Sequence, residues 1–185
     1  MNRTLLSIIL IASFFRANSQ DDSTILKMPF KDNHVIYEKV FFVDSINDQV
    51  KIFNAVKTSL IKNTNYKSAK VDEDRTSGNI TTDIMFLFSA KPGIAKIILD
   101  AKSKLSIDVK ANRFRVRLYD NSASFTLMGQ AVLYELTKSY LYEKDQIEKG
   151  NWRQNKSVSL PWNEKLNEIL NGFGSIVFKN INDEF

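Results

Sequence analysis

The chain contains no cysteine, a single histidine, three prolines and six glycines among its 185 residues. The missing cysteines exclude disulfides, thiolate metal sites, iron–sulfur clusters and cysteine nucleophiles together. One histidine argues against a histidine-rich metal centre or an imidazole relay. There is no Gly-rich phosphate loop, no Gly-x-Ser-x-Gly elbow and no zinc-ligand spacing, so no cofactor is expected. No apolar run reaches the roughly 20 residues that span a bilayer as a helix. Material for a core is nevertheless plentiful. Hydrophobic residues make up 43% of the chain and aromatics 11%, which rules out wholesale disorder. The length suits one domain, or one domain with an appendage.

The first residues have the pattern of a leader. Asn2-Arg3 gives a short basic start, and Leu5 to Phe15 is apolar except for Ser7 and Ser13. Ala17-Asn18-Ser19 then places small residues three and one positions before Gln20, as signal peptidase requires. Residues 1–19 are therefore expected to be a signal peptide cleaved after Ser19, making the protein periplasmic or secreted with no transmembrane anchor left. A retained anchor is the alternative. Loss of Arg3 and Arg16 lowers the 26 basic side chains by two and leaves the 21 acids, so the formal charge falls from +5 to +3. So small a charge gives no reason to expect a nucleic-acid partner.

Residues 20–33 read as a polar N-terminal tether, with Asp21-Asp22-Ser23-Thr24 and Lys31-Asp32-Asn33 around Pro29. From His34 to Val43 both alternation phases carry apolar residues, the pattern of an interior strand. Asp44 or Ser45 can cap the helix that follows. In it Val50, Phe53, Val56, Lys57, Leu60 and Ile61 lie at helical spacing. Arg75-Thr76-Ser77-Gly78-Asn79 is a turn with glycine placed for positive φ. After it Ile80, Thr82, Ile84, Phe86 and Phe88 share one strand face. Residues 94–102 fit either a short helix or a strand.

Lys104 to Tyr119 carries the clearest local pattern. A hairpin with Ala111-Asn112 at its loop pairs Val109 with Phe114, Ile107 with Val116 and Leu105 with Leu118, all on one face. On the other face Asp108 meets Arg115, Ser106 meets Arg117, and Lys110 meets Arg113. A slip of one residue would destroy that sorting. Between Gly129 and Gly150, Val132, Leu133, Leu136, Tyr140 and Leu141 suggest a helix. Pro161 opens a last helix with an apolar stripe from Trp162 to Val177, weakened by Gly172 and Gly174 at about 1 kcal/mol each. The expected fold class is α+β: one domain over residues 34–185, an antiparallel sheet with two helices packed on one face and the other face at least partly free.

Three segments give the chain a resemblance to a known family. They are Val35-Ile36-Tyr37-Glu38-Lys39-Val40 with the helix to Ile61, the turn Asp74 to Ile80, and the hairpin Val109 to Arg115. They resemble the exported Bacteroidota proteins catalogued as domain of unknown function 4468, whose fold is TBP-like, after TATA-binding protein. The ending Asn182-Asp183-Glu184-Phe185 is similar too. This chain departs from the family in having Ala111-Asn112 where Asp-Gly is typical. The resemblance implies a fold and a compartment, and no activity.

Arg113, Arg115 and Arg117, about 6.6 Å apart along one strand face, form a candidate anion-binding ladder with Lys110 adjoining. The structural alternative is a solvated face whose charges are answered by Asp108 and other acids. Trp152, beside Arg153, is a candidate for stacking on a sugar or a partner, or else packs back on the domain. Asp72-Glu73-Asp74 lacks EF-hand spacing and reads as a solvated hairpin end. His34 reads as a strand-edge residue. No catalytic residue and no metal ligand is assigned. The favoured function is an exported, non-catalytic binding or interaction module of the cell envelope. Its partner would be an envelope protein or an anionic ligand such as a glycan, and not a nucleic acid. The alternative is a hydrolase-like periplasmic enzyme using carboxylates such as Glu38, Asp83 and Asp108.

Overall fold

The computed structural model describes residues 28–43, 47–91, 95–127, 129–151 and 158–183. The expected leader and Trp152 lie outside the described residues. A two-stranded hairpin opens the described chain: β1 (Phe30–Lys31) and β2 (His34–Val35) are joined by Asp32 and Asn33, both at positive φ. Residues 28–33, the end of the expected tether, therefore belong to a folded element, with Met28 buried and Phe30 against Tyr140.

The main sheet is antiparallel, in the order β3 (Tyr37–Phe42), β8 (Arg113–Leu127), β7 (Ile97–Lys110), β6 (Asn79–Ala90), β4 (Lys67–Ser68). The short β5 (Asp72–Asp74) shares the outer edge of β6, and β9 (Gln130–Glu135) shares the edge of β8 beyond β3. Residues 97–110 are thus one long strand, and Val132 and Leu133, read as helical, lie in β9. Two steps explain the β9 segment. Gly129, at positive φ, turns the chain back, and β9 then completes the otherwise unpaired end of β8.

Every pair foreseen for the β7–β8 hairpin is present: Val109 with Phe114, Ile107 with Val116, and Leu105 with Leu118, all buried. Asn112 takes the positive φ that the loop needs. Further along, a bulge sits opposite Lys102–Lys104, with Asp120 at positive φ. It returns Asn121 to the covered face, where the side chain bonds Ser103 and the Val35 carbonyl. The expected interior strand at 34–43 is instead an edge strand, since β3 pairs only with β8. Its two apolar phases have separate destinations. Tyr37 and Phe41 enter the core, whereas Val40 and Phe42 lie on the opposite, uncovered face.

Among the described residues three helices lie on the other side, one more than expected: α1 (Gln49–Lys62), α2 (Leu136–Glu148) and α3 (Ser159–Asp183). The cap of α1 is Asp48 rather than Asp44 or Ser45, its Oδ1 accepting from the amides of Val50 and Lys51. The buried stripe of α1 is Ile52, Phe53, Ala55, Val56, Ser59 and Leu60, while Val50 and Ile61 are exposed. The rotation follows from helix–helix packing. Small residues Ala55 and Ser59 let α3 approach, and Asn180 donates to the Ser59 hydroxyl at 2.7 Å across the buried contact. The α3 stripe from Trp162 to Val177 is core as expected.

The two α3 glycines, alike in sequence, differ in surroundings. A Cβ on Gly172 would touch only Asn65, at 3.4 Å, whereas one on Gly174 would enter the Phe41 ring. Gly172→Ala should stabilise by up to about 1 kcal/mol through helix propensity. At Gly174 the same change should destabilise, because overpacking costs about 1–3 kcal/mol and Phe41 is wedged against Phe114 and Phe178. Melting temperatures that moved in the same direction would contradict this packing.

Candidate functional site

Alternation carries one residue of each strand pair to the face away from the helices. On β8 these are Arg113, Arg115 and Arg117; opposite them stand Lys110, Asp108 and Ser106 on β7, and Phe42, Val40 and Glu38 on β3. The arginine ladder thus stands where the hairpin register puts it. Its three members do not behave alike.

Asp108 is the hub. Its Oδ2 accepts from Arg115 Nε at 3.0 Å, Arg115 Nη2 at 2.7 Å and Arg117 Nη2 at 3.0 Å. Its Oδ1 accepts from Asn79 Nδ2 at 2.9 Å. Arg117 also reaches the Ser106 hydroxyl, and Arg115 Nη1 lies 3.7 Å from Glu38. Hydrogen bonding to Asp108 raises the Arg115 guanidinium above its ordinary pKa, so it stays charged at any working pH. Two rungs of the ladder are therefore committed within the fold. Arg113 and Lys110 face each other across the register, and no carboxylate among the described residues pairs with either. With Val40, Asp108 and Arg115 they line a hollow of about 260 Å³.

Farther along, the same face turns apolar. Leu87 (58% exposed), Ile98 (63%), Met85 (48%) and Leu133 (67%) all project from it, and Phe42 (59%) does so at the opposite end. Leu133, Ser124, Asp100 and Leu87 follow one another in register across four strands. Between the two ends, Lys102 pairs with Asp83 at 2.9 Å and Lys104 with Asp120 at 3.5 Å. Sequence reading missed this apolar end. Its signal was present in Met85 and Leu87 on the second phase of β6, but which phase the helices cover is a tertiary fact.

The carboxylates considered for catalysis are each answered by cations: Asp83 by Lys102, Asp108 by Arg115 and Arg117, and Glu38 by Arg115. Asp83 stands four residues beyond Asn79, the partner of Asp108, which is about 13 Å along the strand and too far for a paired-acid mechanism. Glu73 lies on β5 with Lys57 at 2.9 Å, and Asp74 accepts the Thr76 and Ser77 amides, so that acidic run organises a turn. The bond from Lys57 lowers the Glu73 pKa. His34 lies exposed in β2. Among the described residues no cluster of three His, Asp or Glu could hold a metal ion.

By sequence, no protein-family model and no curated protein matches the chain. By structure, it is similar to a TBP-like protein from Parabacteroides distasonis at a TM-score of 0.62 and 14% identity, covering 81% of this chain and 96% of that one. It is also similar to a domain of unknown function 4468 (DUF4468) family protein from Bacteroides ovatus at a TM-score of 0.58 and 15% identity, covering 88% and 96%. At such identities the likeness is one of fold. The chain has the α+β, TBP-like fold that its hairpin, turn and opening strand resemble.

Proposed function

We propose that the protein is an exported, non-catalytic binding or interaction module of the cell envelope, and that the helix-free face of its sheet is the binding surface. One observation carries this reading: Met85, Leu87 and Ile98 stand exposed as neighbours, with Leu133 beyond Ser124 and Asp100, on a face that no helix among the described residues covers. Large apolar side chains left exposed on one face and bordered by charge are the usual mark of an interaction site. Export rests on the leader pattern of residues 1–19. The carboxylate hydrolase gains no support, since Asp83, Asp108 and Glu38 are held by cations rather than gathered in a cleft.

Photocrosslinking in the envelope tests both parts. A photoreactive residue replacing Leu87 or Ile98 should trap a partner, whereas one replacing exposed Lys179 of α3 should not. The crosslinked chain, analysed by mass, should begin at Gln20. Equal crosslinking from the helix side, or a chain that retains Met1 in membranes, would refute the corresponding part.

A further inference from the structure

We infer that the corner formed by Lys110, Arg113, Val40 and Phe42 binds an anionic head group (carboxylate, phosphate or sulfate) carried on a short apolar body. The inference rests on the reading of this face as a binding surface and names what one end of it takes.

Four cations meet at this end of the face, and Asp108 and Glu38 answer two of them. Asp108 is turned to other donors and bonds neither Lys110 nor Arg113. One oxygen takes three guanidinium hydrogen bonds, and the other takes the Asn79 amide. Lys110 and Arg113 therefore stand directly opposite each other as like charges, an arrangement that opposes folding by itself. A bound anion would relieve it. The hollow of about 260 Å³ lies against both cations and Val40, and that volume suits a head group and a few carbons rather than a polymer. Phe42 pairs with Arg113 in the β3–β8 register and is 59% exposed beside it. The apolar body would rest on Val40 and Phe42 while the head group bridged the ammonium and the guanidinium. A three-rung ladder reading an extended polyanion does not fit, because Arg115 and Arg117 are already occupied.

Backbone-amide NMR titration of the whole mature protein with inorganic phosphate, hexyl phosphate and hexanol separates head group from body. Hexyl phosphate should bind saturably and about tenfold more tightly than inorganic phosphate, as expected for burial of about two methylenes. Hexanol alone should bind detectably less than either. Shifts should concentrate in residues 38–43 and 108–115. The variant Lys110→Gln/Arg113→Gln should lose at least about tenfold in affinity and melt no lower than the wild type, since it removes a repulsion. Arg117→Gln should keep its affinity within about twofold, the tie to Asp108 being internal. Absence of saturable hexyl phosphate binding, unchanged affinity in the double variant, or shifts centred elsewhere would overturn the proposal. Such failure with crosslinking at Leu87 intact would sink the corner and leave the face. Loss of crosslinking with phosphate binding intact would do the reverse.

Discussion

Phe114→Ala is expected to lower stability by about 3–5 kcal/mol, as for a fully buried aromatic. The side chain has no exposed surface and stands at the centre of a four-ring cluster. Phe41 stacks on it at a centroid distance of 4.9 Å, Phe178 is tilted at 6.1 Å, and Phe173 meets it edge-on at 6.4 Å. These rings belong to β3, β8 and α3, so truncation opens a void where strand edge, sheet and helix meet. Neighbouring Arg115→Ala should cost no more than about 1 kcal/mol, although Arg115 makes the shortest ion pair with Asp108. Arg115 is substantially exposed, and without it Asp108 still accepts from Arg117 and Asn79. Urea denaturation of both variants measures the difference. Equal losses, or the reverse order, would mean that the covered and free faces of the hairpin have been exchanged.

Gly78→Ala should be the second large effect, a loss of about 2–5 kcal/mol from two separate causes. The first is backbone strain. Gly78 has φ of +73°, in the left-handed region that an alanine Cβ disfavours. The second is space. A Cβ there would meet the Val109 carbonyl and the Gln49 side chain, and neither can withdraw freely. Val109 donates its amide to the Gly78 carbonyl at 2.8 Å, and Gln49 donates to the Val109 carbonyl at 3.1 Å. One turn thus ties β6, β7 and the start of α1 together. Gly129→Ala is the control, because Gly129 has φ of +79° with nothing near its Cβ position. It should show the strain alone, about 1 kcal/mol. Thermal or chemical melts that gave the two variants the same loss would remove the packing half of the argument.

Where the residues encode a local rule, structure and sequence agree. Alternation with a positive-φ Asn112 specifies the β7–β8 register, because a slip of one residue would bury Arg113, Arg115 and Arg117 and expose Phe114. The same holds for the Gly78 turn, the division of β6 into two faces and the apolar stripe of α3. Both phases of β3 are apolar, a pattern equally consistent with burial on two faces and with one buried face beside a binding surface. What separates these is the exposure of Val40 and Phe42 on one face against the burial of Tyr37 and Phe41 on the other. The buried stripe of α1 turned away from Val50 and Ile61 because α3 requires small residues at the contact, and that partner lies more than a hundred residues along the chain.

The ladder shows the same division at the level of function. Sequence alone determined that Arg113, Arg115 and Arg117 share a face with Lys110 and Asp108, since a period of two residues leaves no other choice. It could not determine which arginines are free, because hydrogen bonds to Asp108 depend on distances across three strands and on Asn79 arriving from β6. Tertiary structure committed Arg115 and Arg117 to the fold and left Lys110 and Arg113 beside Val40 and Phe42. It also gathered Met85, Leu87, Ile98 and Leu133, from three strands, into one apolar end. The reason is physical: periodicity assigns a side chain to a face, but packing of the other elements decides which face is covered and which charges are already spoken for.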